Sequence, residues 1–187
     1  HVIKECEQVY LERASESLLG RVFATDKAND LVLMKVDASP KYFLPISSKD
    51  PDLLEEIYVA GFPFGQVLGG SVKVTKGIVS ANRGMGDDSS QFQMDAAVQA
   101  GNSGGPIYDE NGNIVGVVVQ QLNKLKVAKV MGSLPENVNF GIKASTVRQF
   151  LTSAGLPTKW SNRSKRRSTK DLAKIAKNQT VMVVCNP

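Results

Sequence analysis

One serine of this sequence stands in a setting that could make it a nucleophile. Ser103 lies within Gly101-Asn102-Ser103-Gly104-Gly105, ahead of an apolar stretch. A serine hydroxyl attacks a carbonyl only when a base takes its proton and hydrogen-bond donors stabilise the oxyanion. Glycines around the serine let the backbone bend so that the N–H groups of Gly101 and Ser103 point at one oxygen. The alternative is a glycine-rich hairpin turn that carries an incidental serine.

A base and an orienting acid precede this serine. The chain has one histidine, His1, and Asp30 opens the strand-like run Leu31–Val36. The order histidine, aspartate, serine is that of the trypsin-type triad, and it differs from the order in subtilisin and in the α/β-hydrolases. Each residue also has a plainer explanation, since His1 could be the remnant of a tag and Asp30 could be a turn residue. Their occurrence together in this order favours serine hydrolysis.

The segments around these residues resemble the trypsin-like peptidases of the HtrA/Deg type. The resemblance runs from residue 1 to about residue 153 through seven collinear segments: His1-Val2-Ile3, Asn29-Asp30-Leu31-Val32-Leu33, Gly61-Phe62-Pro63-Phe64-Gly65, Thr75-Lys76-Gly77-Ile78-Val79-Ser80, Gln93-Met94-Asp95-Ala96-Ala97-Val98-Gln99, Gly101-Asn102-Ser103-Gly104-Gly105-Pro106 and Asn139-Phe140-Gly141-Ile142. It implies that Ser103 is the nucleophile, that His1 is the base and that Asp30 orients the base. It also implies an oxyanion hole formed by the backbone amides of Gly101, Asn102 and Ser103.

The sequence predicts that short β-strands position these residues, and this favours an all-β fold. The resemblance implies a chymotrypsin-like double β-barrel. Three predicted strands belong to the first barrel: Gln8–Glu12, Leu18–Thr25 and Leu31–Val36. Six belong to the second barrel: Ile57–Gly61, Val72–Ala81, Gln91–Asp95, Pro106–Tyr108, Ile114–Gln120 and Asn137–Ile142.

The resemblance also implies that the sequence is incomplete at its start. In HtrA/Deg-type peptidases the catalytic histidine ends the third strand of the first barrel, whereas here it is the first residue. We therefore expect an N-terminally truncated fragment that lacks about half of that barrel and is poorly active alone. Unpaired strand edges of such a half-barrel promote aggregation.

The chain divides into three predicted parts. Residues 1–50 form the C-terminal half of the first barrel, residues 51–157 form the second barrel with a helix, and residues 158–187 form a basic linker with a helix–strand tail. Ser145 is the predicted N-cap of the helix, and Gly155, followed by Pro157, marks its end. The tail is predicted to contain a short helix over Lys170–Lys177 and a strand over Thr180–Cys185. About 30 residues after Pro157 are too few for a PDZ domain.

Charge concentrates near the C-terminus. The chain carries a net charge of +5, and the segment from Lys159 to Lys177 holds eight basic residues and one acid. A nucleic-acid or anionic membrane surface is the alternative to a solvated linker and helix face. Because no aromatic residue interleaves with the charges between Arg163 and Lys177, we expect no nucleic-acid partner. No apolar run reaches the roughly 20 residues that span a bilayer.

The two cysteines, Cys6 and Cys185, do not form a C-x-x-C pair. With a single histidine present, we expect neither a metal site nor a cofactor. The resemblance implies export to an oxidising compartment, the periplasm or the exterior, which favours a Cys6–Cys185 disulfide over two buried thiols. Such a bond would pin the tail to the first barrel.

The resemblance also indicates where a substrate side chain would bind. The floor of the pocket lies six residues before the nucleophile, at Ala97 with Ala96 beside it, and the wall comes from Asn139, Phe140, Gly141 and Ile142. These residues carry no charge, so we expect small to medium aliphatic P1 residues. The alternative is that the two alanines only pack the barrel.

The predicted function is a serine endopeptidase of protein quality control that forms an acyl-enzyme on unfolded or extended polypeptides. A homo-oligomer is compatible with this prediction. The alternative is a catalytically silent peptide-binding or chaperone-like protein on the same fold. An esterase that uses the same acyl chemistry is a third candidate.

Overall fold

The computed structural model describes residues 1–13, 16–39, 45–65, 69–119, 137–156 and 159–186. Within these ranges lie two α-helices, α1 (Ala144–Ser153) and α2 (Thr169–Gln179), a short 3₁₀ helix (Met85–Asp87) and the following strands: β1 (Gln8–Arg13), β2 (Glu16–Asp26), β3 (Leu31–Val36), β4 (Glu56–Gly61), β5 (Lys73–Ala81), β6 (Gln91–Met94), β7 (Pro106–Asp109), β8 (Ile114–Val118), β9 (Asn139–Lys143) and β10 (Met182–Asn186). The predicted strand end at Gln120 and the predicted helix stop at Pro157 lie outside the described residues.

Six strands close into a barrel in the order β4-β5-β6-β9-β8-β7. Each neighbouring pair is antiparallel. Successive side chains of a strand point to opposite faces, so Ile57 and Val59 enter the barrel core while Tyr58 and Ala60 face outward. The core cluster is apolar throughout: Ile57, Val59, Val79, Phe92, Met94, Ala96, Val98, Ile107, Val115 and Val118. The predicted all-β fold with a second barrel is confirmed.

The first sheet holds four strands in the order β10-β1-β2-β3, all antiparallel. The predicted C-terminal strand joins this sheet, because β10 pairs along β1 and places Cys185 opposite Val9. The sheet also exposes large apolar side chains: Leu19, Val22, Phe23 and Val32. An apolar strand surface of this kind invites association with other chains.

Helix α1 follows β9 directly and buries Ala144 and Val147. The prediction that Ser145 is its N-cap is wrong, because the cap is Lys143 and Ser145 lies within the first turn. Asp50 supplies the missing acceptor from a distant part of the chain. Its carboxylate accepts from the Ser145 amide and from the Ser145 hydroxyl, both at 2.7 Å. Gly155 follows the helix end with φ +77°, as the glycine signal predicts.

Helix α2 lies on the outer face of the barrel. Its buried residues Leu172 and Ala176 are four positions apart and pack against Tyr58 and Tyr108. Ser168 caps the helix by accepting a hydrogen bond from the Asp171 amide at 3.1 Å. The described helices are all too short or too polar to cross a membrane.

Candidate active site

The segment that carries Ser103 is a tight turn leading into β7. Gly101 and Gly104 have φ values of +95° and +79°, which a residue with a side chain adopts only at a cost. The turn is held by two backbone bonds, from the Asn102 amide to Gln99 at 3.0 Å and from the Gly105 amide to the Asn102 carbonyl at 2.9 Å. The glycine pattern therefore encodes a defined backbone path on both sides of Ser103.

A neighbouring loop packs against this turn so closely that only glycine fits at position 101. The Phe62 amide donates to the Gly101 carbonyl at 3.2 Å, and the Phe64 amide donates to the Ala100 carbonyl at 2.8 Å. A Cβ on Gly101 would lie closer than 3.0 Å to the Phe62 carbonyl oxygen and 3.2 Å from the Phe64 nitrogen. The loop after β4 thus fixes the position of the Gly101 peptide.

Two amides of the turn have no partner in the part of the chain that the structure describes. Within the ranges that the structure describes, the amides of Gly101 and Ser103 have no hydrogen-bond acceptor. By contrast, the Asn102 amide is bonded to Gln99, and the Gly104 amide donates to Val118 at 2.8 Å. Open, fixed N–H groups that flank a hydroxyl can stabilise an oxyanion.

His1 and Asp30 are in direct contact. The imidazole Nδ1 of His1 is hydrogen-bonded to Oδ2 of Asp30, and the main-chain nitrogen of His1 lies 2.5 Å from Oδ1. Their side chains are 31% and 34% exposed, so the pair is partly shielded and partly accessible to solvent. A carboxylate on Nδ1 selects the tautomer in which Nε2 accepts a proton.

Asp26, for which the sequence predicts no role, shapes the turn that leads to Asp30. The Asp26 carboxylate accepts from the amides of Ala28 and Asn29, both at 3.1 Å, and from the Asn29 side chain at 2.6 Å. The Asn29 side-chain bond lowers the pKa of Asp26. This turn places Asp30, whose φ is +55°, immediately before the first residue of β3. The spacing of Asp26 before Asn29 is an Asx-turn signal that could have revealed the role.

His1 is held by consecutive turns that end at a disulfide. The Lys4 amide donates to the His1 carbonyl at 3.1 Å, and the Cys6 amide donates to the Ile3 carbonyl at 3.4 Å. Cys6 is joined to Cys185, with a Cα–Cα separation of 5.3 Å. The histidine is therefore connected through a short path to the C-terminal strand.

The structure brings two of the three candidate catalytic residues together. His1 and Asp30 belong to the first-sheet half of the molecule, and Ser103 belongs to the barrel. Among the described contacts, the Ser103 hydroxyl has no hydrogen-bond partner. Catalytic hydrogen bonds are often long in a free enzyme and shorten when substrate binds.

The candidate pocket residues divide between core and surface. Ala96 is fully buried in the barrel core, whereas Ala97 is exposed. The Asn139 side chain donates to the Ala96 carbonyl at 2.7 Å, and the Thr75 hydroxyl donates to the Ala97 carbonyl at 2.8 Å. These bonds fix the segment between β6 and the serine turn.

The other three wall residues lie in β9 beside this segment. Phe140, Gly141 and Ile142 are all buried. Asp95 is the acidic residue nearest in sequence to Ala96 and Ala97. One of its carboxylate oxygens accepts a hydrogen bond from the Ile78 amide at 2.7 Å.

A closed antiparallel barrel beside a second sheet, with a serine turn on one and a histidine–aspartate pair on the other, is the architecture of the chymotrypsin-like serine hydrolases. Residues 1–117 match the family model described as a trypsin-like peptidase domain. The chain belongs to this family.

Three similar proteins cover most of this chain, and two of them are described as DegP-like or HtrA-like proteases. The chain is 34% identical over 186 residues to protein y4bJ of Sinorhizobium fredii, covering 99% of this chain and 29% of that protein. It is 32% identical over 159 residues to a probable periplasmic serine endoprotease, DegP-like, of Brucella suis, covering 81% of this chain and 29% of that protein. It is 31% identical over 167 residues to a serine protease HtrA-like protein of Staphylococcus aureus, covering 81% of this chain and 20% of that protein.

A solved structure agrees with these sequence relatives. The crystal structure of the serine endoprotease from Yersinia pestis superimposes with a TM-score of 0.65 at 25% identity, covering 82% of this chain and 51% of that chain. The expected resemblance to HtrA/Deg-type peptidases is confirmed. The chain spans less than a third of the length of the curated relatives it matches.

Proposed function

We propose that this protein is a serine endopeptidase in which Ser103 attacks the peptide carbonyl, His1 moves the proton and Asp30 orients His1. The contact between His1 and Asp30 carries the proposal. A lone serine turn has a plain structural explanation, whereas a histidine held by a carboxylate through Nδ1 is the base that such a serine requires. Membership of the trypsin-like family supports the same assignment.

The proposed reaction proceeds in two acyl-transfer steps. Nε2 of His1 takes the Ser103 hydroxyl proton as the Ser103 oxygen bonds to the substrate carbonyl carbon. The resulting oxyanion accepts hydrogen bonds from the amides of Gly101 and Ser103. The imidazolium then gives its proton to the leaving amine, the carbon–nitrogen bond breaks, and water hydrolyses the acyl-enzyme by the reverse proton path.

The Asn102 amide has a different role in this proposal. It is already bonded to Gln99, so it shapes the turn and leaves the oxyanion to its two neighbours. Asp30 keeps the proton on Nδ1 and stabilises the imidazolium through charge. Asp26 sets the turn from which Asp30 projects.

The proposed substrates are unfolded or extended polypeptides with a small aliphatic residue at P1. Ala97 is the exposed residue at the expected pocket floor, and it carries no charge to pair with lysine or arginine. A buried unpaired ammonium costs several kcal/mol, whereas an aliphatic side chain gains roughly 1–3 kcal/mol on burial. A role in quality control in the periplasm or outside the cell fits the disulfide and the DegP-like relatives.

Hydrolysis of a reduced, unfolded protein and of a fluorogenic peptide tests this function. We expect Ser103→Ala and His1→Ala each to lower kcat by at least about 10⁴-fold, with the double variant no worse than either single variant. Ser80→Ala, an exposed serine on a barrel strand, is the matched control and should retain full activity. Unchanged hydrolysis by Ser103→Ala would overturn the proposal, and peptide binding without Ser103-dependent hydrolysis would establish the silent alternative.

A further inference from the structure

The segment over residues 168–186, which we call the clasp, contacts both halves of the molecule. Its helix α2 buries Leu172 and Ala176 on the barrel, in one cluster with Tyr108. Its strand β10 pairs with β1 of the first sheet from Gln8 to Glu12. Only Thr180 and Val181 separate the helix from the strand. The barrel and the first sheet are therefore joined by two anchored elements with a short connection.

Hydrogen bonds reinforce both anchors of the clasp. On the barrel side, the Tyr108 hydroxyl donates to the Gln179 side-chain oxygen at 3.2 Å. On the sheet side, the Arg13 guanidinium donates to the Asn178 carbonyl at 3.1 Å. The two partners in the clasp are consecutive residues, so movement of the sheet against the barrel would strain both bonds.

The end of the clasp is attached to the segment that carries His1. The disulfide joins Cys185 of β10 to Cys6, and the Glu7 amide donates to the Asn186 carbonyl at 2.9 Å. From Cys6, the turn bonds of Ile3 and Lys4 lead back to His1. The position of the base is thereby tied to a strand whose own helix rests on the barrel with Ser103.

Catalysis by groups on separate halves depends on how precisely the two halves are held against each other. A displacement of about 1 Å between reacting groups can lower a rate about 100-fold. We infer that the clasp positions His1 for reaction at Ser103, and that the Cys6–Cys185 disulfide makes peptidase turnover depend on the thiol redox state. This inference rests on the proposed function, since it concerns the approach of the same base to the same nucleophile.

The disulfide is open to a reductant. Cys185 is exposed and Cys6 is half-buried, so a small dithiol can reach the bond. One thiolate of the dithiol attacks a sulfur of the protein and forms a mixed disulfide, which releases one cysteine thiolate. The second thiol of the reagent then closes its own ring disulfide and releases the other cysteine. Two electrons and two protons pass from the dithiol to the protein, and reoxidation reverses the change.

The test compares peptidase kinetics of the full encoded protein before reduction, after reduction with a dithiol, and after reoxidation. We expect kcat to fall at least tenfold on reduction, KM to stay within twofold, and kcat to recover on reoxidation. The Cys6→Ser/Cys185→Ser variant should show the low kcat under all three conditions, because the reagent then lacks this target. An oxidised protein that hydrolyses peptides at the same kcat after reduction would overturn the inference while leaving the proposed function intact.

A second variant separates positioning from general stability. Leu172→Ala weakens the barrel anchor of the clasp with the disulfide present, and it should lower kcat with KM unchanged. Val79→Ala is the matched control, since it truncates a fully buried side chain of the barrel core outside the clasp. Equal kcat losses in the two variants would show a structural effect only and would contradict the inference.

A spectroscopic measurement checks the inference without turnover. The His1 ring Cε1–H resonance can be assigned by its absence in His1→Ala. We expect reduction to shift this resonance while near-ultraviolet circular dichroism shows a folded protein. An unchanged His1 resonance in the reduced protein would contradict the inference, and so would a loss of activity that follows global unfolding alone. Absence of Ser103-dependent hydrolysis in the oxidised wild type would instead refute the proposed function.

Discussion

Replacement of Gly101 by alanine should separate the geometry of the oxyanion site from the presence of Ser103. The change adds a methyl group to a turn at φ +95°. The new Cβ would fall closer than 3.0 Å to the Phe62 carbonyl oxygen, so either the loop or the Gly101 peptide must move. Movement of the peptide displaces the Gly101 N–H directly, and movement of the loop weakens the Phe62 and Phe64 hydrogen bonds that hold it, while the Ser103 side chain remains present.

The expected magnitude follows from the loss of one fixed donor. Removing a single oxyanion donor costs roughly 10²–10³-fold in kcat, equivalent to about 3–4 kcal/mol of transition-state stabilisation. The left-handed backbone adds about 1–2 kcal/mol of conformational destabilisation for a residue with a Cβ. We therefore expect kcat to fall about 100-fold or more, with a modest decrease in the thermal midpoint.

Gly104→Ala is the matched control for this substitution. Gly104 also has a positive φ, +79°, but a Cβ there would meet no atom within 4 Å. Gly104→Ala therefore introduces the same backbone strain without a steric clash of the new Cβ. It should lower the free energy of unfolding by a similar amount, about 1–2 kcal/mol, with less than about a tenfold change in kcat. Fluorogenic peptide kinetics and chemical unfolding measure the two effects separately. Equal kcat losses in both variants, or a Gly101→Ala protein within tenfold of wild type, would refute the reasoning.

Three further predictions concern pH, specificity and association. The pKa of Asp26 is lowered in the folded protein, so its contribution to stability is present above about pH 4 and lost as the pH falls through the folded value. Asp26→Asn should thus destabilise the protein by about 0.5–1 kcal/mol at pH 6 and by less near pH 3, measured by urea unfolding. Mass-spectrometric mapping of a digested unfolded protein should show cleavage after small aliphatic residues, and dominant cleavage after lysine or arginine would contradict the assignment of Ala97. Phe23 is 57% exposed on the first sheet, so residues 1–187 made alone should self-associate and Phe23→Lys should reduce this in analytical ultracentrifugation. A monomer in both cases would refute the last prediction.

The sequence predicts most of the fold because its signals are local. Alternating apolar residues predict the barrel strands, and Gly155 predicts the end of α1. The Ser145 cap prediction failed because a tertiary partner, Asp50, satisfies the helix start in place of a local side chain. A cap supplied from 95 residues away leaves no pattern near the helix.

The candidate site shows the same division between local and long-range information. The residue types and their order predict a catalytic set of His1, Asp30 and Ser103, and the glycines predict the bend of the serine turn. The open amides depend on which backbone groups the turn itself uses, and the Asn102 bond to Gln99 cannot be derived from spacing. The pairing of β10 with β1 is also a long-range choice, because an amphipathic strand carries no signal that selects its partner edge.

The most direct test of the central claim is covalent labelling of the full encoded protein with a fluorophosphonate. The reagent phosphonylates an activated serine oxygen, and tandem mass spectrometry locates the adduct. We expect one adduct on Ser103, no adduct in Ser103→Ala, and labelling slowed by several orders of magnitude in His1→Ala, since the hydroxyl then lacks its base. An adduct that persists in Ser103→Ala, or a rate at Ser103 that does not depend on His1, would contradict the account.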